Sequence, residues 1–528
     1  MANPPENFHK LNDRFQEARY YKDRWLALYK NLYFYVIPDR DAFNIKFNYT
    51  DSGKPVTQMI WDSTAMIAAY QRANDLHGLL MPKDRVWGKY VLDPHMHAQG
   101  DIQKGQITLD KINERIMFYL NESNLARVVG SSNLDLVGGT GVIWVESPSD
   151  EVPLYFRSIP SVALYIEYCN DDLIRNCWYV AKMTGRAVLD TFPDYTGNQF
   201  NNLKDNPNDT YSVNYGQVEV APDLYYIYAV LDDDPFTVLW DRYSEYRQII
   251  VYRDRVRPGE AEGRGIAIDM MPTIIDLNRT VEYSRKNLAF KANPPMFYDA
   301  GSYFNPYSVR QWAGAMIARQ PTGRNPLEAL QMPEYNSVHL EILHMQETIQ
   351  KAFMVDPLGE IQTPVRSATE VSIRENRAQR TASTDISRLI NELPRQIFEV
   401  AAKILNGRGL LLTPREVIPG FDPSQLKFAF QSPLYDLQNQ ADLNHLITAL
   451  QTKQQFFGQS APLVTMDLYE TNRFIMDKLN LPAKLSASDD KIKETLAAAN
   501  EQAQAVSGAQ PSTAAGAVQF PQDRGVTI

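Results

Sequence analysis

The sequence predicts a mixed α+β fold that is mainly helical. Long segments near both ends carry apolar residues at helical spacing, which favours amphipathic helices. Between about residues 137 and 252 the pattern changes to short segments rich in aromatic and β-branched residues, separated by turn formers. The 528 residues are 44% hydrophobic and 22% charged, a composition that buries cores and excludes a disordered chain.

Three helices are predicted in the first 130 residues. The first covers Phe15 to Tyr35 and ends at Pro38. The second covers Asp62 to Leu80, and the third runs from about Leu109 to Tyr119. This part of the chain is therefore expected to be mainly helical.

The middle of the chain predicts an antiparallel sheet. Asp194 to Asn214 is polar and rich in Asn and Asp, so it is expected to be an exposed loop. The predicted strands are Gly141 to Glu146, Val162 to Tyr168, Asn176 to Lys182, Leu224 to Val230 and Phe236 to Trp240.

A helix, a small β insert and a second helix follow Gly263-Arg264-Gly265. The first helix is predicted from Asp269 to Lys291, with Pro272 in its first turn, and the second from Ser337 to Met354. Short strands are expected between them, at Met296 to Tyr298 and Ala315 to Arg319. The apolar stripe of the first helix is Met270, Ile274, Leu277, Val281 and Leu288.

A longer helix is predicted after a loop rich in helix breakers. Ser367 and Glu370 form a capping box at its start, Pro394 should bend it, and Asn406-Gly407 should end it. More helices are expected after Ser432, and the composition of 506–528 predicts a disordered tail. The predicted helices are roughly Leu437 to Phe457, Val464 to Leu479 and Asp489 to Ala505.

Composition excludes several classes of protein. The 53 basic and 63 acidic residues give a formal net charge of -10, which argues against a protein that captures DNA tightly through a basic surface. The N-terminus carries no apolar signal region, and Leu134 to Val145 is too short to span a bilayer, so no membrane association is expected. Cys169 and Cys177 are expected to be buried thiols in a reducing compartment, with a disulfide as the less favoured reading.

Motifs for catalysis or cofactor binding are not found. No G-x-x-x-x-G-K-[ST] loop or G-x-S-x-G elbow is present, and Gly138 to Gly141 precedes a strand where a nucleotide loop would open a helix. His339 and His344 are five apart, so they do not share a helical face, and surface histidines are expected there and at His95 and His97. We expect no catalytic residue, metal or cofactor.

Local charge differs from total charge. The helix from Asp269 to Lys291 sums to +1, and the segment from Arg366 to Arg408 sums to +3. The basic residues of the longer segment fit either ion pairs with a neighbouring chain or a face near phosphates.

An ordered series of short motifs resembles the head-to-tail connector, or portal, proteins of short-tailed double-stranded DNA bacteriophages. The resemblance runs from about residue 10 to 450, and it rests on the order and spacing of the motifs. They are Asp62-Ser63-Thr64-Ala65, Leu79-Leu80-Met81-Pro82, Trp87, Gly139-Thr140-Gly141, Gly263-Arg264-Gly265 with Pro272, Asn293-Pro294-Pro295, Ala368-Thr369-Glu370-Val371 and Ser432-Pro433-Leu434.

The resemblance implies a ring of about twelve copies at one capsid vertex, assembled in the host cytoplasm. Double-stranded DNA would pass through its channel without sequence recognition. The terminase large subunit would dock first and tail adaptor or nozzle proteins later, and the scaffold and major capsid proteins would be further partners.

The resemblance also divides the chain. It implies a wing at 1–265 and 367–431, stem helices at 266–292 and 337–355, a clip at 293–336, a tunnel loop at 356–366 and a helical crown at 432–505, followed by the tail. DNA-facing candidates in the tunnel loop are Asp356, Glu360, Gln362, Thr363 and Arg366. Channel-lining candidates in the stem are Arg279, Arg285, Lys286 and Lys291. Docking candidates in the clip are Tyr303, Phe304, Arg310, Arg319 and Arg324.

Two alternatives remain open at this stage. One is a soluble α+β enzyme whose active site is dispersed in the sequence. The other is a different virion protein, such as a tail adaptor or a scaffold.

Overall fold

The fold was analysed in a computed structural model of the chain. The structure describes residues 5–40, 60–83, 86–92, 102–169, 173–294, 296–299, 316–319, 327–329, 336–354, 387–411, 426–430, 442–443, 445–452, 455, 471 and 474–475. The chain divides into two compact units, one formed by Met1–Asp93 with Lys111–Leu434 and the other by Pro94–Asp110 with Tyr435–Ile528. The features below belong to the first unit unless stated.

Helices dominate the described part of the chain, as predicted. They are α1 (Phe8–Asp23), α2 (Leu26–Tyr35), α3 (Thr64–Leu80), α4 (Ile102–Glu122), α5 (Leu125–Val137), α6 (Gly185–Thr191), α7 (Phe200–Asp205), α8 (Ile266–Ala292), α9 (Asn336–Phe353) and α10 (Pro394–Gly407). Residues 387–392 are also helical, and Pro394 begins α10 directly after the turn at Leu393. The bend expected at Pro394 is thus a break between two helical segments.

The strands form four sheets. Three of the sheets are antiparallel throughout: β4-β5-β6-β7-β8, β3-β2-β9 and the pair β1-β13. The fourth has the order β11-β10-β12, with β10 parallel to β11 and antiparallel to β12. The strands are β1 (Gly88–Leu92), β2 (Thr140–Glu146), β3 (Tyr155–Ser158), β4 (Leu164–Ile166), β5 (Cys177–Thr184), β6 (Thr210–Ala221), β7 (Leu224–Leu231), β8 (Asp234–Ser244), β9 (Ile249–Arg253), β10 (Met296–Asp299), β11 (Met316–Arg319), β12 (Leu327–Ala329) and β13 (Leu426–Phe430).

Two predictions in the N-terminal half were wrong. The predicted helix from Phe15 to Tyr35 is two helices, because the chain turns at Arg24 and Trp25. The predicted loop from Asp194 to Asn214 contains α7 and the start of β6. Its polar composition hid a strand in which Tyr211 and Val213 pack into an apolar cluster while alternate residues are polar. Helix α5 was also missed.

The helix, β insert and helix predicted after Gly265 are confirmed as α8, β10 to β12 and α9. Two details differ. Pro272 lies inside α8 and not in its first turn, because the helix begins at Ile266. Leu288 is 68% exposed, and no residue of α8 beyond Val281 is buried, so the predicted stripe is buried only as far as Val281.

The apolar side chains form separate clusters. One joins α3, α4 and α5 to β2, β9 and α10, and another joins α2, α3, α8 and α9. The five-stranded sheet packs against α1 with one cluster and against α6 and α7 with another. This arrangement places α8 and α9 on the same cluster as the N-terminal helices.

Several predictions lie outside the described residues. These are the capping box at Ser367, the helices from Val464 to Leu479 and from Asp489 to Ala505 apart from a few residues, His95, His97 and the disordered tail. Between Leu437 and Phe457, the described residues of the second unit are helical, as predicted.

Cysteine exposure is testable. Cys169 and Cys177 are not joined in a disulfide; Cys177 is buried, whereas Cys169 is half-buried, contrary to the prediction for that residue. Burial raises the pKa of the Cys177 thiol to about 12. We expect a thiol reagent at pH 8 to modify Cys169 first and Cys177 only as the protein unfolds, because the thiolate is the reactive form. The free energy of unfolding should fall as the pH rises from about 9 towards 12, because in this range the Cys177 thiol ionises only in the unfolded chain.

A Cys177→Ala variant is the control for the thiol-labelling measurement. It should remove the slow phase of labelling and leave the fast phase unchanged. Two equivalents reacting at one fast rate in the wild-type protein would contradict the assignment.

Candidate functional site

Helices α8 and α9 form a packed pair on either side of the small β insert. Ile274, Leu277 and Val281 of α8 share one buried cluster with Ile342 and Ile349 of α9. Helices α2 and α3 contribute to the same cluster. Helix α8 thus has its buried residues in its first half, whereas those of α9 continue to its last turn.

The outer face of α8 carries an aromatic and basic row. Arg279, Tyr283 and Lys286 are exposed and lie at positions i, i+4 and i+7, so they share a face of the helix. Tyr283 is 66% exposed. Lys286 Nζ lies 2.6 Å from Glu282 Oε1, and this hydrogen bond raises the pKa of Lys286. We call these three residues the α8 row.

The outer face of α9 carries an apolar and acidic row. Leu340, Leu343 and Glu347 lie at i, i+3 and i+7. Leu340 is 66% exposed and Leu343 is 47% exposed. Exposed apolar side chains grouped on a helix face are typical of interaction surfaces. We call these residues the α9 row.

The four channel-lining candidates are all exposed, but they do not share a face. At about 100° per residue, Arg279 and Lys286 lie together, whereas Arg285 is displaced by about a quarter turn from Lys286. The Arg285 guanidinium lies 5.8 Å from the ring centroid of Trp61, on the inner side of the helix. Lys291 lies near the C-terminal end of α8 and is exposed.

The structure places only one clip candidate in a described element. Arg319 is the last residue of β11. Tyr303, Phe304, Arg310 and Arg324 lie outside the described residues, as do the tunnel-loop candidates Asp356, Glu360, Gln362, Thr363 and Arg366. Their roles stay predictions.

The base of α8 is a contact between two glycine motifs. Gly139 has a φ of +122°, and a Cβ atom there would lie 2.2 Å from the carbonyl oxygen of Gly263. Gly263 N donates to Thr140 Oγ1 at 3.0 Å, and Gly265 N donates to Gly138 O at 3.1 Å. The backbone therefore approaches too closely for any side chain. This contact gives Gly138 to Gly141 a structural role in starting α8.

A buried ion pair lies beside this contact. Lys22 Nζ donates to Glu262 Oε1 at 2.6 Å and to Ser161 O at 2.8 Å. Tyr29 and Thr140 donate hydroxyl hydrogen bonds to Glu262 Oε2 at 3.0 and 3.1 Å. Lys22 and Glu262 are 2% and 4% exposed. Loss of hydration lowers the pKa of Lys22, and the Glu262 carboxylate opposes that shift.

A second buried carboxylate extends the network. Asp135 is fully buried, accepts a hydrogen bond from Tyr33 Oη at 2.8 Å and pairs with Arg40. Burial raises the pKa of Asp135, and Arg40 opposes this shift. Asp135 lies in α5, and its partner Arg40 follows α2. Together with Glu262, which accepts from Thr140, this carboxylate joins the N-terminal helices to α5 and to the strand that carries Thr140.

Sequence reasoning missed this network. Lys22, Glu262 and Asp135 are ordinary charged residues in the sequence, and their partners lie more than ninety positions away. The one usable signal was Asp135, a single charge among apolar residues from Leu134 to Val137. A charged residue within an apolar stretch is usually paired when it is buried.

The geometry gives little support for catalysis. Among the described residues, no group of His, Cys, Asp and Glu could hold a metal ion. A cavity of about 360 Å³ lies between the five-stranded sheet and α10, and its charged lining includes the pairs Arg253 with Glu392 and Lys403 with Asp223. No described helix is long and apolar enough to cross a membrane.

Comparison with known proteins decides the family. The family described as bacteriophage head to tail connecting protein matches residues 9–486. The chain belongs to this family. The head-to-tail resemblance is thereby confirmed at the level of the family, and this membership favours a structural connector over the enzyme alternative.

The connector also matches a solved structure. That structure is titled "Virion of native gene transfer agent (GTA) particle"; the identity is 11%, the match covers 76% of this chain and 89% of that chain, and the TM-score is 0.35. No curated protein matches the connector significantly.

The glycine contact at the base of α8 can be tested with Gly139→Ala. The substitution should destabilise the connector by well over 1 kcal/mol, because the new Cβ meets the Gly263 carbonyl and the residue keeps a positive φ. Gly259→Ala is the matched control, since its φ is +85° and nothing lies within 4 Å of its Cβ position. Chemical denaturation measures both. Equal losses would show that strain alone, without the close contact, explains the effect.

The buried ion pair can be tested with Lys22→Met. Removing one partner leaves Glu262 buried and unpaired, and we expect a loss of about 3–5 kcal/mol in the free energy of unfolding. The double variant Lys22→Met with Glu262→Gln should recover part of that loss. Arg186→Met, which removes an exposed ion pair with Asp190, is the control and should leave the free energy of unfolding nearly unchanged. A Lys22→Met protein as stable as the control would contradict the assigned role.

Proposed function

We propose that the connector is a portal protein of a short-tailed double-stranded DNA phage. About twelve copies would form a ring at one capsid vertex. The ring would be a conduit for packaging and ejecting the genome. It would dock the terminase large subunit and later the tail adaptor or nozzle proteins, and it would contact the scaffold and major capsid proteins during assembly.

The distal half of α8 is the observation that carries this proposal. Beyond Val281 the helix continues for about three turns without a single buried residue. It exposes Tyr283 and Leu288, while the facing helix α9 exposes Leu340 and Leu343. Isolated helices of this length are marginal in water, so packing against another chain is the expected source of stability. Neighbouring copies of the connector would provide it.

The two rows fit a ring better than a two-fold dimer. In a cyclic ring each subunit presents two different surfaces that meet head to tail, whereas a two-fold dimer uses one surface twice. The α8 row is aromatic and basic, and the α9 row is apolar and acidic. Contact between the α8 row of one copy and the α9 row of the next would pair Lys286 or Arg279 with Glu347 while covering the apolar residues.

The conduit would act passively. The net charge of each chain is -10, so a ring would carry a strongly negative total charge. Few permanent phosphate contacts would then oppose movement of the DNA, because each such contact contributes affinity through counterion release. The tunnel-loop candidates at 356–366 and the exposed Lys291 would be the points that touch the DNA locally.

The β insert between α8 and α9 would be the docking platform. Its three described strands form one sheet, and Arg319 ends β11. Tyr303, Phe304, Arg310 and Arg324 would belong to the same insert, where aromatic and Arg residues would suit contacts with the terminase and later the tail proteins.

The proposed ring is tested by the mass of the purified connector. Light scattering and native mass spectrometry should find a particle many times the 60.3 kDa of one chain, and negative-stain images should show a central channel wide enough for duplex DNA.

Leu340→Ser should shift the mass distribution towards monomers, because it removes an apolar contact from the α9 row. Leu173→Ser is the matched control, since Leu173 is 60% exposed but lies outside the α8 and α9 pair.

Two outcomes would contradict the proposal. A solid particle without a channel would favour another virion adaptor or scaffold. A ring that forms equally well in both variants would show that the two rows are not the subunit interface.

A further inference from the structure

Two adjacent residues hold elements that are far apart along the chain. Arg253 is the last residue of β9, and Asp254 follows it. Arg253 contacts the helical turns at 387–392, and Asp254 connects to the C-terminal end of α9. The two elements are separated by more than thirty residues in sequence.

Asp254 connects to α9 through Arg72 of α3. The Asp254 carboxylate lies 3.5 Å from Arg72 Nη2, and Arg72 Nη1 donates to the carbonyl oxygen of Phe353 at 3.4 Å. Phe353 is the last residue of α9, so this carbonyl belongs to the negative end of the helix dipole. The Asp254 and Arg72 side chains are 4% and 15% exposed, so solvent screens their attraction weakly.

Arg253 holds the turns before α10. Its backbone N–H donates to Glu392 Oε2 at 2.7 Å, and its guanidinium Nη2 donates to Glu392 Oε1 at 3.0 Å. One carboxylate thus receives hydrogen bonds from both the main chain and the side chain of a single residue. The Arg253 and Glu392 side chains are 4% and 17% exposed. Charge-assisted hydrogen bonds of this kind are among the strongest in proteins.

The same dipeptide is attached to the base of α8. The backbone N–H of Asp254 donates to Gly139 O at 2.9 Å, and Gly139 makes the close contact with Gly263. Consecutive Cα atoms are fixed about 3.8 Å apart by the planar peptide. The start of α8, the end of α9 and the turns before α10 are therefore held by one rigid two-residue unit.

We propose that Arg253 and Asp254 form a coupling unit that transmits displacement of α9 to the helical turns at 387–392, and the reverse. The direct route between these elements runs through one hydrogen bond, two ion pairs and one peptide bond, while the covalent route is more than thirty residues long. A tilt of α9 moves the Phe353 carbonyl and, through their contacts with it, Arg72 and Asp254. Arg253, the neighbour of Asp254, then transmits the displacement to Glu392 through their ion pair. In this arrangement Arg72 and Glu392 are positioning residues. The coupling needs only one chain and does not depend on ring formation.

Hydrogen–deuterium exchange of the full chain tests the coupling in Glu392→Gln. Glu392 does not contact α9 directly, yet we expect the last turn of α9, at 348–354, to exchange at least about fivefold faster, which is the lower end of usual coupling between two sites. Asp254→Asn should have the reciprocal effect and speed exchange at 387–393, because coupling free energies are reciprocal.

Glu399→Gln is the matched control. Glu399 lies in α10 and pairs with Arg395 at 2.8 Å on a more exposed surface, so its loss should leave exchange in α9 unchanged. If Glu392→Gln does not fold, Glu392→Asp serves instead, because it keeps the charge but is too short to receive both hydrogen bonds. Faster exchange confined to 387–393 in either Glu392 variant would overturn the proposal, because it would show that the ion pair acts only locally.

Discussion

The buried contact beneath the first turn of α8 is the constraint on which the rest of the described structure depends. Gly139 and Gly263 approach so closely that no side chain fits between them, and Lys22 and Glu262 are paired beside them with side chains that are 1% and 5% exposed. A buried pair of this kind is retained only where its partners are held in place. Here they are held by α1, α2, the strand after α5 and the turn before α8. The direction in which α8 leaves the N-terminal helices and strands is set by that arrangement.

From this fixed base, α8 changes character along its length. Its first half is buried against α2, α3 and α9, and its second half has no fully buried residue. The first half therefore belongs to the fold of a single chain, while the second depends on what surrounds it. A family of proteins that connect head and tail fits this division, because such a protein must have both a stable body and surfaces for other chains.

Strong periodicity made α3, α8 and α9 predictable from the sequence, and the glycine motif at 263–265 correctly placed the start of α8 within a few residues. Strand β6 was missed because many of its alternating residues are Tyr, Asn, Ser and Gln, and a composition of this kind is typical of a loop. The network of Lys22, Glu262 and Asp135 could not be predicted, since it joins residues whose proximity exists only after folding. Leu288 lies on the predicted stripe, but it is exposed because the burial of this stripe stops at Val281.

The adjacency of Arg253 and Asp254 has a consequence for how the chain can vary. The segment between α9 and the turns at 387–392 begins and ends at two neighbouring anchor points, so its length is not tied to any distance across the core. The entropy of closing a flexible loop grows only with the logarithm of its length, and each doubling costs about 0.6 kcal/mol. A change in the length of this segment should therefore leave the register of the helices on either side unchanged.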